Sequence, residues 1–91
     1  MDKKRETLKV MADFLEIPRD LVLDLPKLTI TGRNEIHLEN HRGIIEYSLN
    51  RIRINLSRGY LELEGEEFTI KALLPDEMYI IGEIRSIKYL D

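Results

Sequence analysis

The sequence predicts a mainly β domain: an N-terminal amphipathic helix plus a twisted antiparallel β-meander, curled into a partial barrel or sandwich. Three observations predict it. Apolar residues recur at spacings of three and four before Pro18 and at a spacing of two after Lys27. The apolar runs after Lys27 are each of strand length and are separated by Gly or Asn. The composition, 43% hydrophobic with 12 Ile and 14 Leu among 91 residues, belongs to a packed chain rather than a disordered one. A chain of this length holds one core, so residues 1–25 read as helix and connector and residues 26–91 as the β part of a single domain. That core is thin, and added burial through self-association is the expected remedy.

The helix comes first. From Lys3 to Glu16 there is neither Gly nor Pro, and Leu8, Met11 and Leu15 form a stripe widened by Val10 and Phe14. Asp2 is placed to cap it, and Pro18 cannot continue it. Leu21 to Pro26 reads as an extended connector or a short turn.

The period-two runs pair Leu28 with Ile30, Ile36 with Leu38, Ile45 with Tyr47, Ile52 with Ile54 and Leu56, Leu61 with Leu63, and Phe68 with Ile70. Together with the C-terminal segment they amount to about seven or eight strands. Apolar residues must face apolar residues across a ladder, which sets a register. Tyr47 then opposes Ile52, Ile45 opposes Ile54, and Glu46 opposes Arg53. In the next hairpin Ile54 opposes Leu63 and Leu56 opposes Leu61, with Arg53 facing Glu64, Arg51 facing Glu66, and the turn on Arg58 and Gly59. A third hairpin, with Gly65 in the first central position of a type II′ turn, pairs Leu63 with Phe68 and Leu61 with Ile70. A bulge is expected between Ile70 and Leu73, where the apolar parity slips, and a turn at Pro75 and Asp76. The closing run from Glu77 is either one strand bent at Gly82 or two strands turning there.

Charge is distributed unevenly. Residues 1–26 carry five basic and six acidic groups, residues 27–58 six and three, and residues 59–91 three and eight. A positive middle and a negative C-terminal third suit contacts between copies better than a phosphate track. The chain has no Cys, which removes disulfides, thiolate metal sites and a thiol nucleophile. The absence of any long apolar run, with Glu6 and Asp13 near the start, predicts neither a membrane span nor a signal peptide, and a cytoplasmic location.

Chemistry-bearing patterns are few. His37 and His41 have the spacing of a helical zinc pair, but here they fall in a strand and a turn, so both are expected at the surface with no metal site between them. Glu39 and Glu46 do not complete an acid–base arrangement. Glu62, Glu64, Glu66 and Glu67 read as a solvated strand face that blocks edge-to-edge pairing. Arg42, Arg51, Arg53 and Arg58 raise the alternative of a small β-barrel that binds nucleic acid, but there is no Trp to stack bases, and glutamates oppose two of the arginines. No catalytic residue, cofactor or metal is expected, and no nucleic acid. The candidate interaction surface is the run Met78, Tyr79, Ile80 and Ile81, whose consecutive apolar residues load both faces of a strand, with Leu8, Met11 and Leu15 of the helix as cover for one face.

The runs LTITGRNEIHLENHRGIIEYS, RIRINLSRGYLELEG, FTIKAL and MYIIGEIRSIKYL resemble the YabP/YqfC family of sporulation proteins. The segment IPRDLVLDLPKLTITG is similar to the YqfC branch. The resemblance spans about residues 18–89, and its most specific parts are the E-N-H-R-G-I pattern within Glu39 to Ile45 and the I-x-G-x-I from Ile80 to Ile84. Gly32, Asn40, Gly43, Gly65 and Gly82 match the pattern and read as turn positions. The resemblance implies a protein made in the mother cell of a sporulating bacterium, without catalysis, acting as an assembly or scaffold component. It also implies a membrane-protein partner of YqfD type, which would hold a soluble, homo-oligomeric domain at a membrane surface without insertion of its own.

Overall fold

Alternation of apolar and polar side chains turns most of the chain after Pro26 into strand. The structure, a computed structural model, describes residues 23–91. Six strands form one antiparallel sheet: β1 (Lys27–Thr31), β2 (Glu35–Glu39), β3 (Ile44–Tyr47), β4 (Arg51–Asn55), β5 (Tyr60–Leu73) and β6 (Glu77–Leu90). The expected N-terminal helix, with Leu8, Met11 and Leu15, lies outside the described residues.

The order across the sheet is β1-β2-β6-β5-β4-β3. It departs from a simple meander at one place, where β2 pairs with β6 rather than with β3. There are six strands rather than seven or eight because β5 and β6 each run for 14 residues without a turn. The third hairpin expected at Gly65 and Glu66 does not exist. β5 continues through these residues and pairs with β6, Gly65 lying opposite Ile84 and Glu66 opposite Glu83. The glycine serves packing instead: a Cβ on Gly65 would overlap the Glu83 carbonyl and stand 2.8 Å from Cζ of Phe68. The chain bends here through register shifts between Glu66 and Thr69, with Glu67 at φ 54°.

Other expectations hold in part. Tyr47 opposes Ile52 and Glu46 opposes Arg53, around a turn in which Ser48 N–H donates to Arg51 O at 2.8 Å. Irregularity at the start of β3 puts Ile44 rather than Ile45 opposite Ile54, and Ile45 is exposed. Tyr47 lies on this edge strand and is also exposed, although its hydroxyl donates to Phe68 O at 2.7 Å. Between β4 and β5 the faces are as expected, but the pairing moves by two: Ile52 opposes Leu63, Ile54 opposes Leu61, Arg53 opposes Glu62 and Arg51 opposes Glu64. A bulge falls between Ile70 and Ala72, the turn falls before Glu77, and the closing run is a single strand with Gly82 at φ 149°.

The sheet folds back on itself, as its hydrogen bonds require. Asn55 pairs with Tyr60, and Tyr60 with Leu90, at the far end of β6 from Glu77. Along an extended strand those ends are on the order of 40 Å apart. Yet Asn40 N–H donates to Asp76 O at 2.6 Å while Arg42 N–H, two residues on, donates to Asn55 O at 2.7 Å. The link from β2 to β3 therefore joins both ends of the curved sheet. Inside the curve one core gathers Ile36, Leu38, Met78 and Ile80 with Ile52, Ile54, Leu61, Leu63 and Phe68, all 0–2% exposed. Burying a side chain of this size contributes about 1.5–3 kcal/mol.

Candidate functional site

The run from Met78 to Ile81 divides between the two faces of β6. Met78 and Ile80 are sealed in the core, while Tyr79 and Ile81 point outward, 42% and 38% exposed. Outward residues of β2 lie beside them, since His37 opposes Tyr79 and Glu35 opposes Ile81. A shallow groove on this face is lined by Thr31, Glu35, His37, Lys71, Tyr79 and Ile81, among others.

At one end of this face stand His37, Glu39 and Glu77. Strand alternation puts His37 and Glu39 on the same side of β2, and the ladder sets Glu39 directly opposite Glu77. The His37 ring stacks on Tyr79, with centroids 4.2 Å apart and planes within 7°. Its Nε2–H donates to Glu77 Oε1 at 2.9 Å, and its Nδ1 lies 3.9 Å from Glu39 Oε2. The three side chains are about a quarter to a third exposed. Each offers a donor atom, and these atoms all lie within 4.8 Å of one another.

His41 does not join them. Contrary to the expectation of a surface residue, it is 4% exposed. Its Nε2–H donates to Leu74 O at 3.0 Å and Glu77 O at 3.2 Å, and its Nδ1 accepts from Gly43 N–H at 2.9 Å. Both nitrogens are thus committed to main-chain partners, with the proton on Nε2. The ring ties the β2–β3 link to the turn between β5 and β6.

The arginines are separated and mostly paired. Arg53 Nε donates to Glu62 Oε2 at 2.8 Å, with Glu46 at 3.4 Å on its other side and the Tyr60 ring beneath the guanidinium at 6.0 Å. The Glu62 contact, first among these, holds the Arg53 pKa above its ordinary value. Glu62 is buried rather than solvated, because the shift of two in register places it under Arg53. Arg51 lies 3.6 Å from Glu64. Arg42 grips both carboxylate oxygens of Asp24, and Asn40 donates to the same group at 3.0 Å. These hydrogen bonds, that from Asn40 foremost, hold the Asp24 carboxyl below its usual range. Arg58 makes no ion pair among the described residues.

Comparison with known proteins gives this sheet a family. The YabP family model matches residues 24–91, which include all six strands. The chain belongs to the YabP family. It is also 38% identical to YqfC of Bacillus subtilis (strain 168), an uncharacterized protein, in an alignment covering 100% of this chain and 99% of that one. The resemblance read from the motifs is thereby borne out. In the YabP domain those motifs occupy structural positions: the E-N-H-R-G-I pattern is the link that joins the two ends of the sheet through His41, and the late I-x-G-x-I carries Gly82 beneath Phe68. No helix among the described residues is long and apolar enough to cross a membrane.

Neither motif reading nor composition found Glu39 and Glu77 as neighbours of His37. Glu39 follows from strand alternation along β2, whereas Glu77 reaches His37 only through the pairing of β2 with β6, across 40 positions of sequence, for which the sequence carries no local signal.

Proposed function

We propose that this chain is a non-catalytic assembly or scaffold protein of sporulating cells, acting in the mother cell through contacts with a membrane protein of YqfD type and with further copies of itself. The observation that carries the reading is the division of β6. Met78 and Ile80 complete the core, and the same strand presents Tyr79 and Ile81 to the outside. An exposed aromatic beside an exposed branched aliphatic is the composition of a contact surface. Membership of the YabP family supports the sporulation setting through the resemblance stated above.

The test is recovery of crosslinked partners from sporulating cells that express the tagged chain. A membrane protein or a second copy is expected with the native chain and not with a Tyr79→Ser, Ile81→Lys variant of unchanged circular dichroism. Full partner recovery and normal spore yield with that variant would overturn the proposal.

Nucleic-acid binding, the alternative, requires free cations in one patch. The pairing of Arg42, Arg51 and Arg53 with carboxylates speaks against it. Single-stranded RNA bound at physiological salt would restore that alternative.

A further inference from the structure

We infer that His37, Glu39 and Glu77 form a site for a divalent metal ion of the zinc type. The starting point is electrostatic. Glu39 and Glu77 are direct cross-strand partners, and like charges in that relation destabilise a sheet. Proteins ordinarily relieve such a pair with Lys or Arg. Lys27 of β1 stands opposite Glu39 on its other side without closing an ion pair, Glu77 has no Lys or Arg partner among the described residues, and the one basic group in reach of both glutamates is His37. A neutral imidazole offers one hydrogen-bond donor to two anions, whereas a divalent cation satisfies both carboxylates and the ring nitrogen together.

The donor set selects the ion. One imidazole nitrogen with two carboxylates suits zinc and its first-row neighbours, whereas calcium and magnesium favour oxygen ligands alone. The geometry is close to what such an ion requires. Metal–ligand bonds of about 2.0–2.1 Å at tetrahedral angles place donors about 3.3 Å apart. Here His37 Nε2 and Glu77 Oε1 are 2.9 Å apart, and one donor from each of the three residues falls within 4.8 Å of the others. Glu77 stands at Nε2 and Glu39 on the Nδ1 side of the ring, so an ion held at Nε2 requires the Glu39 side chain to swing toward Glu77, its cross-strand partner.

Rigidity favours the site as well. All three residues stand on paired strands rather than loops, and the Tyr79 ring stacked on His37 fixes the imidazole plane, as the supporting shell of a metal site must. Three protein ligands leave a fourth position, for water or for a side chain of a docked partner, beside the exposed Tyr79. The site shares Tyr79 with the assembly surface proposed above, but Zn²⁺ binding by the isolated chain and partner recovery from cells are read separately, so failure of one is distinguishable from failure of the other.

The experiment is calorimetric titration of the untagged, metal-stripped full chain with Zn²⁺, with the His37 ring followed by NMR. One saturable site of micromolar affinity is expected, with shifts at the His37 ring nitrogens and no competition from Mg²⁺ or Ca²⁺. His37→Gln and Glu77→Gln should each weaken binding by more than about tenfold, while Glu35→Gln, on the same face of β2 but outside the cluster, should leave it unchanged. Absence of saturable binding by the native chain, or native affinity in folded Glu77→Gln, would overturn the inference. So would stabilisation by protons alone with no response to Zn²⁺.

Discussion

The Phe68 ring fills the space that a side chain on Gly82 would occupy. A Cβ at Gly82 would stand 2.6 Å from Cδ1 and 2.9 Å from Cα of Phe68, and the backbone there is at φ 149°. Gly65 approaches the same ring from β5. Two glycines and one phenylalanine therefore let two 14-residue strands bend while staying paired.

Gly82→Ala is expected to destabilise the fold by about 2–3 kcal/mol, through overpacking and a strained φ. Phe68→Ala opens a cavity and costs about 3–5 kcal/mol. The double variant should cost clearly less than the two together, because the lost ring makes room for the new methyl. Urea unfolding with an unchanged m value is the measurement, and strict additivity would show that the two residues do not compete for space.

His41→Ala removes a buried ring that joins Leu74, Glu77 and Gly43 by three hydrogen bonds. Leaving buried main-chain groups unpaired costs about 1–3 kcal/mol each where water cannot replace the partner. The expected result is a loss of stability in that range, with hydrogen-exchange protection lost first at the Gly43 amide. Unchanged exchange at Gly43 would contradict this role.

Asp24 makes a pH prediction with a definite sign. Its carboxyl titrates below the ordinary 3.8 because Asn40 and Arg42 hydrogen-bond the charged form. A carboxyl whose folded-state pKa is depressed contributes stability that is present above the unfolded value and is lost as pH falls through the folded value. The native chain should therefore lose this contribution below about pH 4. Asn40→Gly, which suits the φ of 62° at that position, should move the Asp24 NMR titration midpoint upward. A midpoint that stays put would remove Asn40 as the cause.

Arg53→Ala is a different case from an exposed ion pair, because it leaves the buried Glu62 carboxylate without its guanidinium. It should destabilise more than Glu46→Ala, which removes only the outer, 3.4 Å partner. Adding Glu62→Gln to Arg53→Ala should recover part of the loss. A double-mutant cycle by chemical denaturation measures this coupling, and a coupling of zero would mean that solvent screens the pair.

What could be read from the sequence follows from what periodicity encodes. Alternation fixes faces, so it places Ile52, Ile54, Leu61 and Leu63 in the core and Arg53 on the opposite side. A shift of two preserves every face, so alternation could not separate Arg53 opposite Glu64 from Arg53 opposite Glu62; the turn in which Leu56 N–H donates to Gly59 O decides it. Gly65 reads as a turn residue in the sequence because a glycine that admits a neighbouring ring has the same letter as one that makes a turn. The pairing of β2 with β6 had no local signal at all. The candidate site shares that fate: spacing sets His37 only against His41, which predicts no metal site, and the carboxylate the ring meets, that of Glu77, is brought by the long-range pairing.

The two faces of β6 differ sharply in exposure. Ile80 is 1% exposed and Ile81 is 38% exposed, so the same change at adjacent positions should have opposite consequences. Ile80→Lys puts an unpaired charge in the core and should prevent folding. Ile81→Lys keeps the ammonium in water and should leave the circular dichroism and unfolding midpoint near native. The native chain is expected to self-associate at micromolar concentration, through Tyr79 and Ile81 and between its positive middle and negative C-terminal third. Light scattering then separates the possibilities. A native dimer that becomes a folded monomer with Ile81→Lys places the contact on this face. A native monomer, or a dimer that survives the substitution, assigns the exposed side of β6 to something other than a second copy.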